Sequence, residues 1–190
     1  VLVDLRDMLN TVLSIARRYI ENRDLNLCVS REELKTPYVM ADELRIREVL
    51  LNIISNAVKF TKDGGTISFV AENGPGKDEQ HIIVRYRISD TGIGMSEEFQ
   101  TRIFDEFSQE NDGARTSYKG TGLGMAIAKQ YVDLMGGKIE VSSRQGVGSA
   151  FTVEIPLLIA EHVLTEEKEK LRKDIDLHGL HVLLAEDNDL

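Results

Sequence analysis

The chain has no tryptophan, one cysteine and three prolines in 190 residues, and no apolar run long enough to cross a bilayer. A single cysteine excludes an internal disulfide framework and is typical of a reducing compartment. Basic residues are also few, 23 against 32 acidic ones, and the net charge of −9 argues against a nucleic-acid-binding surface. Cys28 lies in a short apolar run, and we expect it to be buried in a strand.

Length and composition bound the domain organisation. A hydrophobic fraction of 42% and a charged fraction of 29% are ordinary for a globular protein, and 190 residues suffice for one α/β domain with part of another. The sequence begins with Val1 rather than methionine and shows no signal peptide. We therefore expect a fragment of a longer protein, with a domain over 1–157, a charged linker over 158–178 and the first strand of a truncated second domain over 179–190.

Apolar periodicity predicts helices and strands throughout the first domain. A helix over 4–21 is expected to have Asp4 as its N-cap, and a second helix is expected to start at Asp42 and end near Gly64. The same rules predict helices over 96–104 and 122–135, strands over 25–30, 66–72, 81–89, 138–143 and 150–155, and a turn over 73–76. Residues 105–121 are polar and glycine-punctuated, which predicts a mobile lid.

The second of these helices has two distinct faces. Asn52, Asn56 and Lys59 recur at the spacing i, i+4 and i+7 and share one face, while apolar side chains occupy the other. Burying an unpaired amide costs about 1–3 kcal/mol, so asparagine at such positions indicates a hydrogen-bonding role. An amide oxygen is a hard, neutral ligand that suits Mg²⁺, and a lysine one turn further on is placed to reach a phosphate. Asn56 is the candidate metal ligand, and an exposed polar face is the alternative.

Three glycine clusters follow in order, at Asp90–Gly94, Gly120–Gly124 and Gly146–Ser149. Asp90 ends an apolar strand, where a carboxylate can accept a hydrogen bond from an exocyclic amine and glycines let a base approach the backbone. The second cluster opens a helix, where free N–H groups and the helix dipole favour phosphate. Each cluster alone is a weak or moderate signal, because such glycine patterns also occur in simple turns. Together with the asparagine helix they predict a nucleotide site.

With these motifs in place, the chain resembles the catalytic ATP-binding domain of sensor histidine kinases, within the fold shared by gyrase, heat-shock chaperone and mismatch-repair ATPases. Residues 52–61 look like the asparagine box of that family, the glycine clusters look like its glycine boxes, and Phe104–Phe107 looks like its phenylalanine box, which we expect to pack the base of the lid. The resemblance covers residues 1–157. It implies an α/β fold, a two-layer sandwich of a mixed, mainly antiparallel sheet covered on one face by three helices (the Bergerat-type ATP-binding fold).

The resemblance also implies cofactors and site residues. ATP and Mg²⁺ are the implied cofactors, with Asn56 on the metal, Asp90 on the adenine amine and Lys59 near the phosphates. The implied nucleotide-binding residues are Asn52, Asn56, Lys59, Asp90, Gly92, Gly94, Gln109, Gly120, Thr121, Gly122, Leu123, Gly124 and Ser149. Gln109 stands where some members have an arginine over the phosphates, which leaves Arg102 and Arg115 as other candidate cations.

One difference within the fold favours a protein-histidine kinase over an ATPase. The related ATPases carry a glutamate where this chain has Asn52, and asparagine cannot take a proton from water at neutral pH. The site is therefore expected to hold ATP without rapid hydrolysis and to donate the γ-phosphoryl group to another acceptor. In the family that acceptor is a helical histidine followed by an acidic residue. None of the four histidines here fits it, so we expect it on dimerisation and phosphotransfer helices upstream of this chain.

The end of the chain resembles the opening of a receiver domain. An apolar strand over 180–185 ends on Glu186 and Asp187, where receiver domains have paired acids that bind Mg²⁺. The parent would then be a hybrid histidine kinase of two-component signal transduction. Its expected partners are its own dimerisation and phosphotransfer helices and a receiver domain or response regulator, without nucleic acid. We expect a monomeric fragment of a homodimeric parent, in the cytoplasm, with or without an inner-membrane anchor on the parent.

Two alternatives stay open at this point. The first is an ATP-hydrolysing domain of the same fold, which rapid turnover by the chain would favour. The second is a degenerate nucleotide-binding scaffold that serves in dimerisation or interaction, which a failure to bind nucleotide would favour.

Overall fold

A computed structural model of the chain describes residues 1–110 and 121–160. Helices and strands in these residues follow in the order β1 (Leu2–Asp4), α1 (Leu5–Ile20), β2 (Asn26–Glu33), β3 (Tyr38–Met40), α2 (Glu43–Phe60), β4 (Thr66–Pro75), β5 (His81–Asp90), α3 (Glu97–Gln100), α4 (Gly124–Leu134), β6 (Lys138–Arg144) and β7 (Gly148–Ile159). Most of the predicted lid, the predicted linker beyond residue 160 and the predicted receiver strand lie outside the described residues.

The seven strands form one mixed sheet in the order β1-β3-β7-β5-β4-β2, and β6 also pairs with β7. The pairing is antiparallel between all neighbours except β2 and β4, which run parallel. Strand β5 pairs along nearly the whole of β7, so β6 and β3 share the other edge of β7, one near its start and the other at its end. The predicted mixed, mainly antiparallel sheet is confirmed.

The core lies between one face of this sheet and the helices. Along β5 the residues Ile82, Val84, Tyr86 and Ile88 are buried, whereas Arg85 and its neighbour two residues on are exposed. This alternation is what a strand with one covered face requires, because successive side chains point to opposite sides. Helix α2 packs between α1 and α4 above the apolar face. The predicted layer of three helices on one face is therefore confirmed, with the four-residue α3 as a small addition.

The two predicted helix starts are confirmed by their caps. The Asp4 carboxylate accepts a hydrogen bond from the Arg6 N–H at 2.8 Å, and the Asp42 carboxylate accepts one from the Arg45 N–H at 3.2 Å. Each bond satisfies a backbone donor that the first turn of a helix leaves without an intrahelical partner. Helix α2, which carries the asparagine pair, therefore starts where the sequence requires.

Several local predictions differ from the structure. Strand β4 runs through the predicted turn as far as Pro75, which pairs with Ile82, and the chain turns only afterwards. The helix predicted over 96–104 is shorter, four residues at Glu97–Gln100. Strand β7 continues through Pro156 to Ile159, past residue 157. The short strands β1 and β3 have only three residues each, too few to show a period in the sequence.

The prediction that Cys28 is buried is wrong. Cys28 lies in β2, the outer strand of the sheet beside β4, and its side chain is exposed. An edge strand with one neighbour leaves more of its surface in water than the apolar pattern suggests.

Candidate functional site

A cleft of about 280 Å³ opens between α2, the end of β5 and the start of α4. Ten of the residues predicted from the sequence line it: Asn52, Asn56, Lys59, Asp90, Gly94, Gln109, Thr121, Gly122, Gly124 and Ser149. Gly92 and Leu123 do not line the cleft, although each is adjacent in sequence to a residue that does. Gly120 lies outside the described residues. The fold thus brings together residues from five separate stretches of sequence, at 52–59, 90–94, 109, 121–124 and 149.

Helix α2 supplies one wall of the cleft. Its apolar face is fully buried, for example at Ile46 and Ile53, and this fixes the opposite face toward the cleft. Asn52 faces the start of α4, because a Cβ atom at Gly124 would lie 3.3 Å from the Asn52 Oδ1 atom. The Asn56 side-chain amide makes no hydrogen bond in the described part of the chain, so its oxygen is available to a ligand.

Lys59 completes this wall near the end of α2. Its Nζ atom lies 4.9 Å from the centroid of the Phe60 ring. Within 1–110 and 121–160 its ammonium group has no acidic partner closer than the usual ion-pair distance. A cation that lines a cleft without an ion pair is suited to an anionic ligand such as phosphate.

Asp90 supplies a carboxylate at the end of β5. Its Oδ1 atom accepts a hydrogen bond from the Gly92 N–H at 2.8 Å. Burial raises the pKa of the Asp90 carboxyl, because it disfavours the charged form, and backbone hydrogen bonding from Gly92 and Ser149 opposes this rise. The main chain therefore holds a partly buried acceptor at this end of the cleft.

The start of α4 closes the cleft opposite α2. Gly122 has a φ of +72°, and a Cβ atom there would lie 2.8 Å from the Phe107 carbonyl carbon, so the two backbones touch. No side chain among the described residues caps α4, and the first N–H groups of an uncapped helix can bind an anion. The glycine-rich sequence before α4 thus brings backbone donors to the cleft.

The two aromatic residues predicted to pack the base of the lid behave differently. Phe104 is half-buried and packs against the hydrophobic core, and its expected packing at the base of the lid stays a prediction because most of the lid lies outside the described residues. Phe107 is 70% exposed and has a φ of +60°, which is uncommon for a bulky side chain. The left-handed backbone brings the main chain of Phe107 against Gly122 and leaves its ring in solvent, so the prediction is wrong for Phe107.

Other residues of the cleft were not predicted from the sequence. Its apolar wall is formed by Ile93, Met95, Phe99, Ile103, Met125 and Phe151. Ser108 also lines the cleft, and its hydroxyl is buried without a hydrogen-bond partner among the described residues. Glu110 ties the segment before residue 111 to α3, because its Oε1 atom accepts a hydrogen bond from the Ser96 N–H at 3.1 Å. These residues lie beside the glycine clusters and the phenylalanine box, but nothing in their types alone marks them.

The described residues contain neither a membrane-spanning helix nor a cluster of metal-ligating side chains. Between residues 1 and 110 and between 121 and 160, no helix is both long and apolar enough to span a membrane. In the same ranges no three histidine, cysteine, aspartate or glutamate side chains gather as a metal site would require.

Comparison with known proteins gives a consistent picture. Residues 41–159 match the family model described as histidine kinase-, DNA gyrase B-, and HSP90-like ATPase. The chain is 36% identical over 188 residues to the sensor protein GacS of Pseudomonas syringae pv. syringae, which is 98% of this chain and 20% of GacS. It is also 36% identical over 149 residues to the hybrid signal transduction histidine kinase B of Dictyostelium discoideum, which is 78% of this chain and 8% of that protein.

Among solved structures, full-length ShkA in complex with AMPPNP superposes with a TM-score of 0.68 at 30% identity, over 84% of this chain and 31% of that one. The chain thus spans less than a third of each of these relatives.

Proposed function

We propose that this chain, which belongs to the family of histidine kinase-, DNA gyrase B- and HSP90-like ATPases, binds ATP with Mg²⁺ in its cleft and donates the γ-phosphoryl group to a histidine on a helix outside the chain. Its relatives are sensor histidine kinases, and the chain corresponds to their catalytic, ATP-binding part. The observation that carries the proposal is the convergence of Asn56, Asp90 and the start of α4 on one cleft.

The polar groups that line the cleft suit the two parts of a nucleotide. Asp90 and Ser149 offer acceptors at one end, where an exocyclic amine of a base can bind. Lys59, Gly122 and the first turn of α4 offer a cation and backbone donors for phosphates. The AMPPNP in the ShkA structure supports the same kind of ligand here.

Asn56 would hold the metal. Its amide oxygen is a neutral, hard donor, and the described residues offer no cluster of acidic side chains to replace it. A site of this kind suits Mg²⁺, which keeps several water molecules and takes phosphate oxygens as further ligands. When bound, Mg²⁺ would neutralise phosphate charge, while Lys59 and the backbone of α4 orient the chain of phosphates.

Transfer rather than hydrolysis is the proposed outcome for the γ-phosphoryl group. Asn52 faces the start of α4 and cannot act as a general base toward water. We propose that the acceptor histidine lies on dimerisation and phosphotransfer helices of a homodimeric parent protein. We further propose that the parent is a hybrid kinase and that residues 179–190 begin its receiver domain; similarity to GacS over 188 residues and to a named hybrid kinase supports this.

The first experiment measures thermal unfolding of the chain with Mg²⁺ and ATP, ADP or GTP. A ligand at 100 times its dissociation constant adds about 2.7 kcal/mol to the free energy of unfolding, which should raise the midpoint by roughly 5–10 °C. We expect this rise with ATP and ADP and a smaller one with GTP. The absence of a shift with every nucleotide would instead favour a degenerate scaffold.

The second experiment tests the transfer itself. The helical segment that precedes this domain in the parent is supplied as a separate chain, together with labelled ATP and Mg²⁺. We expect label on that segment that is acid-labile and alkali-stable, as phosphohistidine is. A matched segment with its acceptor histidine replaced by glutamine is the control. Rapid release of inorganic phosphate without any label would favour an ATPase.

A further inference from the structure

A row of three side chains crosses the sheet at the base-binding end of the cleft. Ser149 on β7 pairs with Asp90 on β5 along one edge and with Ser143 on β6 along the other. Residues in register on adjacent strands point to the same face, so the three side chains lie next to one another. Asp90 and Ser149 line the cleft, whereas Ser143 lies beside Ser149 and does not line it.

The position of Ser143 is held from several directions. Its backbone N–H donates to the Gln100 Oε1 atom at 2.9 Å, and its carbonyl oxygen accepts from the Gln100 Nε2 atom at 3.0 Å. Its Oγ atom accepts a hydrogen bond from the Met95 N–H at 2.8 Å and donates one to the Gly148 carbonyl at 3.0 Å. Helix α3 and the β6–β7 hairpin thus fix this hydroxyl group.

The partners of Ser143 favour one direction for the hydrogen bond between the two serines. The Oγ atoms of Ser143 and Ser149 lie 2.9 Å apart. A serine hydroxyl has one proton to donate and two lone pairs that accept. By distance alone either serine could donate. The Gly148 carbonyl can only accept, and when the single Ser143 proton is assigned to it, Ser149 becomes the donor of the bond between the two serines. The Ser149 oxygen then meets the cleft with lone pairs alone.

We infer that Ser143 is a positioning residue for base selection: by accepting the Ser149 hydroxyl proton, it leaves Ser149 and Asp90 as two acceptors side by side, which together select a purine that carries an exocyclic amino group. An amino group has two N–H donors and can satisfy both. A purine with a carbonyl oxygen at that position would place an acceptor against the Ser149 and Asp90 acceptors. No hydrogen bond could form there, and binding would be unfavourable. The inference rests on the proposed function, because it assumes that a nucleotide base enters this end of the cleft.

The test compares two ligands that differ in one group. Dissociation constants for ADP and for purine riboside 5′-diphosphate, which lacks only the 6-amino group, are measured by calorimetry with Mg²⁺. Ser143→Ala should weaken ADP binding about three- to tenfold, the fold-change expected for one neutral hydrogen bond, and leave the affinity of the analogue unchanged. Ser143→Thr keeps the hydroxyl and should restore the preference. The matched control is Ser142→Ala, at an exposed neighbouring position on β6.

A second variant guards against a folding defect in Ser143→Ala, which removes the acceptor of the Met95 N–H. Ser149→Ala leaves that contact in place and should lower the preference for ADP by a similar factor. In the Ser149→Ala background, Ser143→Ala should have no further effect on the preference, because its influence passes through Ser149.

The outcomes separate this inference from the proposed function. If Ser143→Ala weakens the binding of ADP and of the analogue equally, the inference is overturned while nucleotide binding stays intact. The same follows if Ser149→Ala leaves the preference for ADP unchanged. Failure of the unaltered chain to bind either ligand would overturn the proposed function, and the inference with it.

Discussion

Gly148 packs against the backbone of Asp90 so closely that a Cβ atom at Gly148 would lie 1.9 Å from the Asp90 carbonyl oxygen. Gly148 also has a φ of +139°, a conformation that side-chain-bearing residues rarely adopt. The third glycine cluster therefore has a structural task, which is to let β7 pass beside the carboxylate that ends β5.

Replacing Gly148 should lower the stability of the folded chain. Gly148→Ala forces the two strands apart and strains the backbone, so we expect the free energy of unfolding to fall by about 2 kcal/mol or more. Urea unfolding measures the loss. Gly74→Ala is the matched control, since a Cβ atom there has no neighbour within 4 Å, and it should change stability little. A Gly148→Ala chain as stable as the control would contradict this packing.

The Asp90 carboxyl should make the ligand-free chain less stable as the pH rises. Its pKa is raised in the folded state, mainly by burial, so the folded chain holds the proton more tightly than the unfolded chain, whose aspartates titrate near pH 4. More protons are bound in the folded state between these two pKa values, and stability therefore falls with rising pH from about 4 through the folded pKa. Asp90→Asn should remove this part of the pH dependence, as urea unfolding at several pH values would show.

The same substitution should have opposite effects on stability and on binding. At neutral pH, Asp90→Asn removes a buried charge, so we expect an unfolding midpoint equal to or above that of the unaltered chain. Its affinity for ADP should fall about tenfold or more, because a charge-assisted hydrogen bond to the base is lost. Calorimetry with ADP and GDP measures the second effect. Equal affinity of the unaltered chain for the two nucleotides would refute the role of Asp90.

Asn56→Ala should uncouple nucleotide binding from Mg²⁺. In the unaltered chain we expect ADP to bind more tightly with Mg²⁺ than with a chelator. Removing the amide oxygen should reduce that difference, because the metal would lose its ligand from the protein. The control is Asn22→Ala, which alters an exposed asparagine in the turn after α1. If the Mg²⁺ dependence survives in Asn56→Ala, the metal ligand lies elsewhere.

Asn52→Glu should create ATP hydrolysis in a chain that otherwise holds ATP. A general base at this position can activate water, and general bases contribute roughly 10²–10⁴-fold to a rate. We expect release of inorganic phosphate to rise at least about tenfold. Asn52→Gln, which has the same length without a base, should leave the rate unchanged. Fast hydrolysis by the unaltered chain would show that it needs no such base.

Tyr86→Phe should leave the fold equally stable or more stable. The Tyr86 ring is fully buried near Phe69, and burial raises the pKa of its hydroxyl. Within 1–110 and 121–160 this hydroxyl has no hydrogen-bond partner. A buried unpaired polar group costs about 1–3 kcal/mol, which removal of the hydroxyl should partly recover. Tyr38→Phe, at a residue that is half-exposed, is the control for loss of a hydroxyl in water. A clear loss of stability in Tyr86→Phe would reveal a partner for this hydroxyl.

Much of the fold could be predicted because local and global signals agree. Asp42 caps α2, and the period of its apolar residues defines the buried face, so the positions of Asn52 and Asn56 follow from spacing alone. The end of β5 at Asp90 follows in the same way from alternation and from the glycines beyond it. These signals act within a few residues, which is why a single sequence reveals them.

The rest depends on contacts between distant parts of the chain. Cys28 looks like a core residue until the sheet order makes β2 an edge strand. Phe107 is predicted to pack at the base of the lid, but its ring is exposed and its left-handed main chain lies against Gly122, a residue distant in sequence. The role of Ser143 depends on a pairing register across β6 and β7, which no motif in its own neighbourhood encodes.

The shared edge of β7 determines how the domain is tethered. Strand β3 pairs with both β1 and the end of β7, so the chain enters and leaves the sheet at one corner, where Met40 lies between Leu2 and Leu158. Asp90 lies at the far end of β5, about 30 Å away by the rise of its strand. The points at which the described chain enters and leaves the sheet are therefore separated from the cleft by the length of β5, so a connection made at that corner does not cover the cleft.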